Sequence, residues 1–362
     1  MTERVESFFI SAMSQNGLPQ GARPTIRDVA RTAEVGISTV SSFLNSTRPV
    51  STATRTRIAR AIQDLGYEPN LMARNLRRRQ AGAIGLVVPD VMNPFFMLVA
   101  SGIEEVIRSD DFCFVLCPTN FEAEREAGYV RLLRRQQLDG VIILSGTALS
   151  SPALLELARR APVVLVDELI AGVDAPFVAA DNRRGARSLA EHVVGLGHRR
   201  VAIVAGPPGL WTAEQRLSGY REALAASGLD PDVPVAHGDY RLESGYAAAR
   251  TLLAGRTTQR PTALIASNDL MAIGCARFCS DNQLRVGADV SVAGFDDIPL
   301  AALVTPGLTT VRQPAEEIGR QAARFMLARV HGGSRSCDSI SERRELATTL
   351  VVRESVGAPG GR

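Results

Sequence analysis

From Ala83 onward, apolar runs of four to six residues alternate with longer amphipathic stretches: AIGLVV, FCFVL, GVIIL, PVVLV, FVAA, RVAIVA, TALIA and VSVAGF. Each run is too short for a helix and lacks the polar alternation of a half-exposed strand. A strand that is apolar at successive positions is buried on both faces, which happens in parallel sheets covered by helices on either side. The expected fold class is therefore α/β, built from βα units. With 362 residues, 45% of them hydrophobic, the chain can fill the cores of two or three domains without disulfide staples. No apolar run approaches the ~18 residues that would span a bilayer. The opening MTERVESFFISAM mixes acids into what would be a signal peptide, so a soluble cytoplasmic protein is expected.

Residues 21–80 differ in kind. Eleven arginines against four acids give this stretch +7, whereas residues 81–362 carry −3, so the total of +3 conceals a polarised chain. Thr25-Ile-Arg-Asp28 has the spacing of a helix N-terminus, and a helix is expected over 26–34 with Val29, Ala30 and Ala33 inward. Val35-Gly36 makes a tight turn. A second helix over 37–44 turns Val40, Phe43 and Leu44 inward and leaves Ile37, Ser38, Ser41 and Ser42 facing out. Ser51 caps a third, over 52–65, which Gly66 ends. Two short helices joined by a tight turn form a helix-turn-helix unit, whose second helix can enter a DNA major groove. A three-helix bundle with a solvated hydroxyl-rich face shows the same stripes, and positive charge alone does not separate the two. Residues 1–22 show no period and read as a disordered leader.

Particular residues add a resemblance. Thr25-Ile-Arg-Asp-Val-Ala-Arg-Thr-Ala33, Ser38-Thr-Val-Ser41, Phe43-Leu-Asn45, Val50-Ser51, Thr54-Arg55 and Leu65-Gly-Tyr-Glu-Pro-Asn70 together resemble the head of the LacI/GalR family of bacterial transcription regulators. Ala73-Arg-Asn-Leu-Arg77 is similar to that family's hinge helix. Ile84-Gly-Leu-Val-Val-Pro-Asp90 with Asn93-Pro-Phe-Phe96, Leu138-Asp-Gly140, Asp269-Leu-Met-Ala-Ile-Gly274 and Gly294-Phe-Asp296 are similar to its effector-binding core. The resemblance runs from about residue 24 to 355. It implies a helix-turn-helix domain at 23–68, a hinge helix and linker at 69–80, and a two-lobed, Rossmann-like core of the periplasmic-binding-protein type at 81–355. Lobe 1 would comprise 81–181 and 314–338, and lobe 2 would comprise 182–313 and 340–355.

The partners it implies are double-stranded, pseudo-palindromic operator DNA, a small-molecule effector of the sugar class, and a second copy of the chain. The setting would be the nucleoid of a bacterial cytoplasm, without a membrane, a cofactor, a metal or an enzymatic step. A transport solute-binding protein could use the same two-lobed body, but the basic head and the missing signal peptide oppose it. A dinucleotide-dependent enzyme would suit the doubly wound texture, yet no GxGxxG, P-loop or GxSxG spacing occurs. Cys113 with Cys117, and Cys275 with Cys279, share a CxxxC spacing and are expected to be small buried hydrophobes.

By the same resemblance, Ile37, Ser38 and Ser42 read bases, while Thr39, Ser41, Asn45, Ser51 and Thr54 hold phosphates, a role that small hydroxyls and an amide suit. Leu76, between Ala73 and Arg77, matches a leucine that pairs with its twin across the dimer axis and wedges into a base step from the minor groove. Two positions depart from the family pattern. Gly36 replaces a serine cap, and Ser42 stands where a long donor, often arginine, is usual. A serine discriminates bases less than a bidentate arginine, so the operator differs from the family's commonest site or is read more loosely.

For the effector, the resemblance points to Phe95, Phe96, Asp167 and Asp181 on the first lobe and to Trp211, Arg216, Tyr240, Asn268 and Asp296 on the second. Aromatic faces beside arginine, asparagine and aspartate suit a polyhydroxylated ring. Leu210, where a nucleobase-binding relative would place an arginine, favours a sugar over a purine. Plainer readings stand beside these: Phe95 and Phe96 as core aromatics, and Asp181-Asn182 and Asn268-Asp269 as helix caps.

Leu76→Ala is expected to weaken operator binding roughly tenfold or more, because the wedge offsets part of the cost of bending the DNA. Effector binding should be unchanged, and a gel shift as strong as that of the unsubstituted protein would contradict the wedge.

Overall fold

The computed structural model describes residues 24–45, 48–67, 81–110, 112–135, 138–146, 152–159, 161–255, 260–332 and 342–360. The chain divides into two compact units, Met1–Arg78 and Arg79–Arg362.

In the first unit, α1 (Ile26–Thr32), α2 (Ile37–Asn45) and α3 (Thr52–Leu65) close around Val29, Ala30, Ala33, Val40, Ile58 and Ala61. Phe43 and Leu44 pack against them. The Asp28 carboxylate accepts from the Thr25 amide at 2.9 Å and from its hydroxyl at 2.7 Å, tying down the first turn of α1. That helix ends two residues short of the expected boundary. Glu34 takes a left-handed φ of 53°, and its N–H returns to the Arg31 carbonyl. Ser51 accepts from the Thr54 amide at 3.3 Å to start α3, and Gly66, at φ 60°, ends it. The hinge expectation, with Ala73, Leu76 and Arg77, lies outside the described residues.

In the second unit, one sheet has the order β11-β5-β4-β3-β1-β2 and a second has the order β7-β6-β8-β9. All their ladders are parallel. The first comprises β1 (Ala83–Val88), β2 (Cys113–Pro118), β3 (Gly140–Ile143), β4 (Val163–Val166), β5 (Phe177–Ala180) and β11 (Arg343–Leu346). The second comprises β6 (Val201–Ala205), β7 (Val235–His237), β8 (Ala263–Ala266) and β9 (Ser291–Ala293). An antiparallel pair, β10 (Thr310–Arg312) with β12 (Thr349–Val351), joins Thr310 to Val351. The helices between them are α4 (Pro94–Ile107), α5 (Ala123–Arg134), α6 (Pro152–Ala158), α7 (Asn182–Gly195), α8 (Trp211–Ala226), α9 (Leu242–Leu252), α10 (Asp269–Asp281) and α11 (Ala315–Gly332).

The eight apolar runs coincide with strands, and β3, β4, β5, β6 and β8 are buried at every position. Four short strands lack that signature. Of these, β11 (RREL) also corrects the expected lobe boundary. Residues 340–355 were assigned wholly to the second lobe, but Arg343–Leu346 pairs with β5, Arg343 against Phe177 and Leu346 against Ala180. As an edge strand with one ladder and exposed side chains it needs no apolar run. The chain returns to the second lobe only at β12. A second correction concerns Cys113, which is exposed on edge strand β2, while Cys117, Cys275 and Cys279 are buried thiols.

The parallel order sets where the site can be. Strands of one sheet all end on the same side, so the loops after β1, β2, β3 and β4 come together, and those after β6, β7, β8 and β9 do likewise. The opposite, amino-terminal end of the first sheet is fastened by Asp139, whose carboxylate accepts from the amides of Ala81, Gly82 and Ala83 at 2.8, 2.6 and 3.0 Å. Among the described residues no helix is long and apolar enough to cross a membrane.

On one face of the first sheet, α4 and α11 cross at Gly102 and Gly319, and a Cβ at either would run into the facing helix's backbone carbonyl, that of Glu316 or of Val99. Gly102→Ala is expected to destabilise the core by ~1–3 kcal/mol through overpacking. A chemical-denaturation midpoint equal to that of the unsubstituted protein would show that the helices separate at no cost.

Candidate functional site

The head presents one polar face on α2. Ile37 is 46% exposed, Ser38 is exposed, and Thr39, Ser41 and Ser42 are half-buried beside them. Asn45 is the last residue of α2, and its side chain lies outside the described set. Gly36 begins this helix, its carbonyl accepting from the Thr39 amide at 2.9 Å. Its backbone is not left-handed, and an added Cβ would approach nothing closer than the Ser38 hydroxyl at 3.5 Å, so a serine would fit. Glycine is not demanded there by geometry. Ser51 and Thr54 bond each other through their hydroxyls at 2.9 Å at the start of α3. Either could share that bond with a phosphate oxygen, since a hydroxyl both donates and accepts.

In the second unit, a narrow cavity lies where the carboxyl ends of the two sheets meet. Arg216, on α8 and 3% exposed, stands at its centre. Its Nε donates to Asn182 Oδ1 at 2.7 Å and its Nη1 to the Ser267 carbonyl at 2.6 Å. Nη1 also pairs with Asp296 Oδ1 at 3.5 Å, and the guanidinium stacks 4.1 Å from the Phe295 ring centre. Gln313 donates to the same Asp296 oxygen at 2.7 Å. The first lobe contributes Phe95 and Phe96, packed edge to face with centroids 5.6 Å apart, and the carboxylates of Asp167 and Glu168 just beyond β4. Glu168 accepts from the amide and the hydroxyl of Thr212 on α8, linking the two lobes. At the mouth, Arg241 reaches Asp90 at 3.4 Å and covers the Phe121 ring at 5.1 Å.

Backbone strain gathers at this cavity. Phe121, Asp167, Tyr240 and Asp296 all have positive φ, half of the eight non-glycine residues that do so among the described residues. Such conformations cost roughly 1–3 kcal/mol each and persist where the surroundings over-determine them. Burial also raises the carboxyls. Asp296 is pushed up to about 7 by burial, against the pull of Arg216. Glu168 is pushed up to about 8 by burial and by neighbouring Asp167, against its bonds from Thr212. Asp167 is raised by burial, which Arg216 partly offsets, and its Oδ1 has no protein partner among the described residues.

Seven of the nine expected effector residues line this cavity: Phe95, Phe96, Asp167, Arg216, Tyr240, Asn268 and Asp296. The cap and core readings hold at the same time. Asn268 accepts from the Met271 amide at 2.9 Å and donates to the Tyr240 carbonyl at 2.9 Å, and both phenylalanines belong to the first lobe's core. Asp181 does not line this cavity. Its carboxylate caps α7 through the Arg184 amide at 3.0 Å and faces a surface cleft with Arg183 and Arg187. Trp211 does not line it either, for a helical reason. Thr212 and Arg216 are four apart and share the face of α8 that looks into the cavity, so Trp211 is rotated away. It packs edge-on against Phe177 at 5.3 Å, under Arg343 at 5.5 Å.

Sequence reasoning missed Glu168, Thr212 and Asn182. Glu168 follows the end of an apolar strand, and Thr212 lies one helical turn before Arg216; both signals were readable. Asn182, which orients Arg216 from α7, carried none. Among the described residues no group of His, Cys, Asp and Glu is gathered to hold a metal ion.

Comparison with known proteins fits this geometry. Residues 25–70 match the lacI family of bacterial regulatory proteins, and residues 190–356 match a periplasmic binding protein-like domain. The ribose operon repressor of Halalkalibacterium halodurans is 34% identical over 331 residues, covering 91% of this chain and 96% of that protein. A solved complex of the transcriptional regulator CelR with cellobiose is 34% identical, with a TM-score of 0.68 over 92% of this chain and all of that one. The lac repressor dimer bound to operator and the anti-inducer ONPF is 27% identical, with a TM-score of 0.79 over 93% of this chain and all of that one.

Asp296 and Glu168, raised from 3.8 and 4.5 to about 7 and about 8, hold more protons folded than unfolded across that interval. The unliganded core should therefore lose stability as pH rises from about 5 to about 8. The fall in Tm should be shallower in Asp296→Asn, and parallel Tm curves would contradict a raised Asp296.

Proposed function

This chain belongs to the LacI family of bacterial regulatory proteins, and on that premise we propose that it is a homodimeric transcriptional repressor of the bacterial cytoplasm, acting at the nucleoid and switched by a sugar. The observation that carries the effector half is the buried Arg216–Asp296 pair, set with Phe95, Phe96 and Tyr240 where the two sheets end. Planar donors, a carboxylate and aromatic faces are what a ring bearing hydroxyls requires. The ribose repressor and the cellobiose complex among its relatives support the sugar class.

The DNA half rests on α1 to α3. Ile37, Ser38 and Ser42 on the open face of α2 read base edges, with Thr39, Ser41, Asn45, Ser51 and Thr54 on the phosphates. Ala73, Leu76 and Arg77 form the hinge contact in the minor groove. A purely transport role would leave this head unexplained. Effector and operator communicate because the sugar binds the DNA-competent and DNA-incompetent forms of the dimer with different affinity. Among the described residues, Glu168–Thr212 and Asp90–Arg241 are polar contacts between the lobes that a change of lobe orientation would have to break or remake.

The test begins with selection of operator DNA from a random pool, followed by a gel shift against a panel of sugars. Saturable binding to a pseudo-palindrome, altered by one sugar, is expected. Arg216→Lys should keep operator affinity and weaken the sugar response at least ~30-fold, the loss of a buried charged hydrogen-bonding group. An unaltered sugar response would remove Arg216 from the site.

A further inference from the structure

We propose that the effector bears no negative charge: the cleft takes an uncharged sugar that donates hydrogen bonds, and it rejects the phosphate ester or carboxylic acid of the same skeleton. This rests on the reading of the cleft as a sugar site and specifies the chemistry of its ligand.

The first support is an imbalance of charge. Three carboxylates, Asp167, Glu168 and Asp296, reach the cavity among the described residues, against the single guanidinium of Arg216. Two of its three nitrogens are engaged, Nε by Asn182 and Nη1 by the Ser267 carbonyl and Asp296, so its charge is already paired with a buried carboxyl. Burial pushes Glu168 and Asp296 well above the ordinary carboxylate range, so both are partly protonated near neutral pH, and an anionic ligand would meet no unpaired cation among the described residues that line the cavity.

The second is an imbalance of hydrogen bonding. Asp167 is 7% exposed, lines the cavity, and has a carboxylate oxygen with no partner among the described residues. A buried acceptor left unmatched by protein is matched by a donor from the ligand. The protein's own donors are largely spent: Thr212 on Glu168, Gln313 on Asp296, and the Asn268 amide on the Tyr240 carbonyl.

The third concerns the places where an anion normally sits. Helix N-termini bind phosphates through open amides. Three helices begin at this cavity, and each has a side-chain oxygen on its first amides. Asn93 takes the Phe95 amide of α4 at 3.1 Å, Glu168 takes the Thr212 amide of α8 at 3.3 Å, and Asn268 takes the Met271 amide of α10. A phosphate would have to displace one of these oxygens, itself a carboxylate in α8, and lie beside the others.

The experiment uses the full-length protein and ligands matched in skeleton: ribose with ribose 5-phosphate, glucose with glucose 6-phosphate and glucuronate, and adenosine with adenosine monophosphate. Binding is followed by calorimetry and by the fluorescence of Trp211, the chain's one tryptophan, which precedes Thr212 on α8. The uncharged member of whichever sugar set binds should be favoured at least ~100-fold, the penalty for burying an anion where the one lining cation is already paired. In Asp167→Asn that preference should shrink about tenfold. A phosphate or acid form that binds as tightly as its parent overturns the inference while leaving a sugar site standing. Binding of adenosine over its monophosphate, with no sugar bound, keeps the charge inference and overturns the sugar reading. A preference unchanged in Asp167→Asn removes Asp167 from the selection.

Discussion

A guanidinium removed from water must be matched on every side, and Arg216 is matched by an asparagine, a backbone carbonyl, a carboxylate and an aromatic face. These partners come from α7, from the loops after β8 and β9, and from Phe295 beside Asp296. The second lobe is thereby organised around one ion. Breaking such a pair by removing one partner strands the other charge in a poor solvent, which is far more costly than never having built it. The strained backbones of Asp167, Tyr240 and Asp296 are the counterpart of that matching, since each holds a group at the cavity at some conformational cost.

The two lobes meet over this ion with few polar links. Glu168 reaches Thr212, and Arg241 reaches Asp90. A small ligand shifts the balance between two arrangements only by binding one of them better, and these links are ones such a change would have to remake. The first sheet has a second anchor at the amino end of its strands, where Asp139 gathers the three amides that lead into β1. This is the end opposite the carboxyl ends that carry the site.

Much of this was legible in the residues because parallel strands buried on both faces write themselves as apolar runs. The strands that escaped are those without that need: β7, β10 and β12 have three residues each, and β11 is a polar edge strand. Helix phase explains the site in the same way. The resemblance points to Arg216 and Trp211, whereas the four-residue spacing on α8 puts Thr212 on the same face as Arg216. Asp181 and Asn182 show the limit of reading from residue type. Adjacent on α7, one caps the helix and the other orients the buried arginine, and no property of the pair alone assigns those roles.

In the proposed switch, the cleft and the DNA-binding head share one equilibrium. Linkage makes this measurable in both directions with one pair of titrations: operator affinity with and without saturating sugar, and sugar affinity with and without operator. The two ratios are predicted to be equal and clearly different from one. Tight binding of both ligands with ratios of one would mean that sugar and operator bind independently, and would contradict the account.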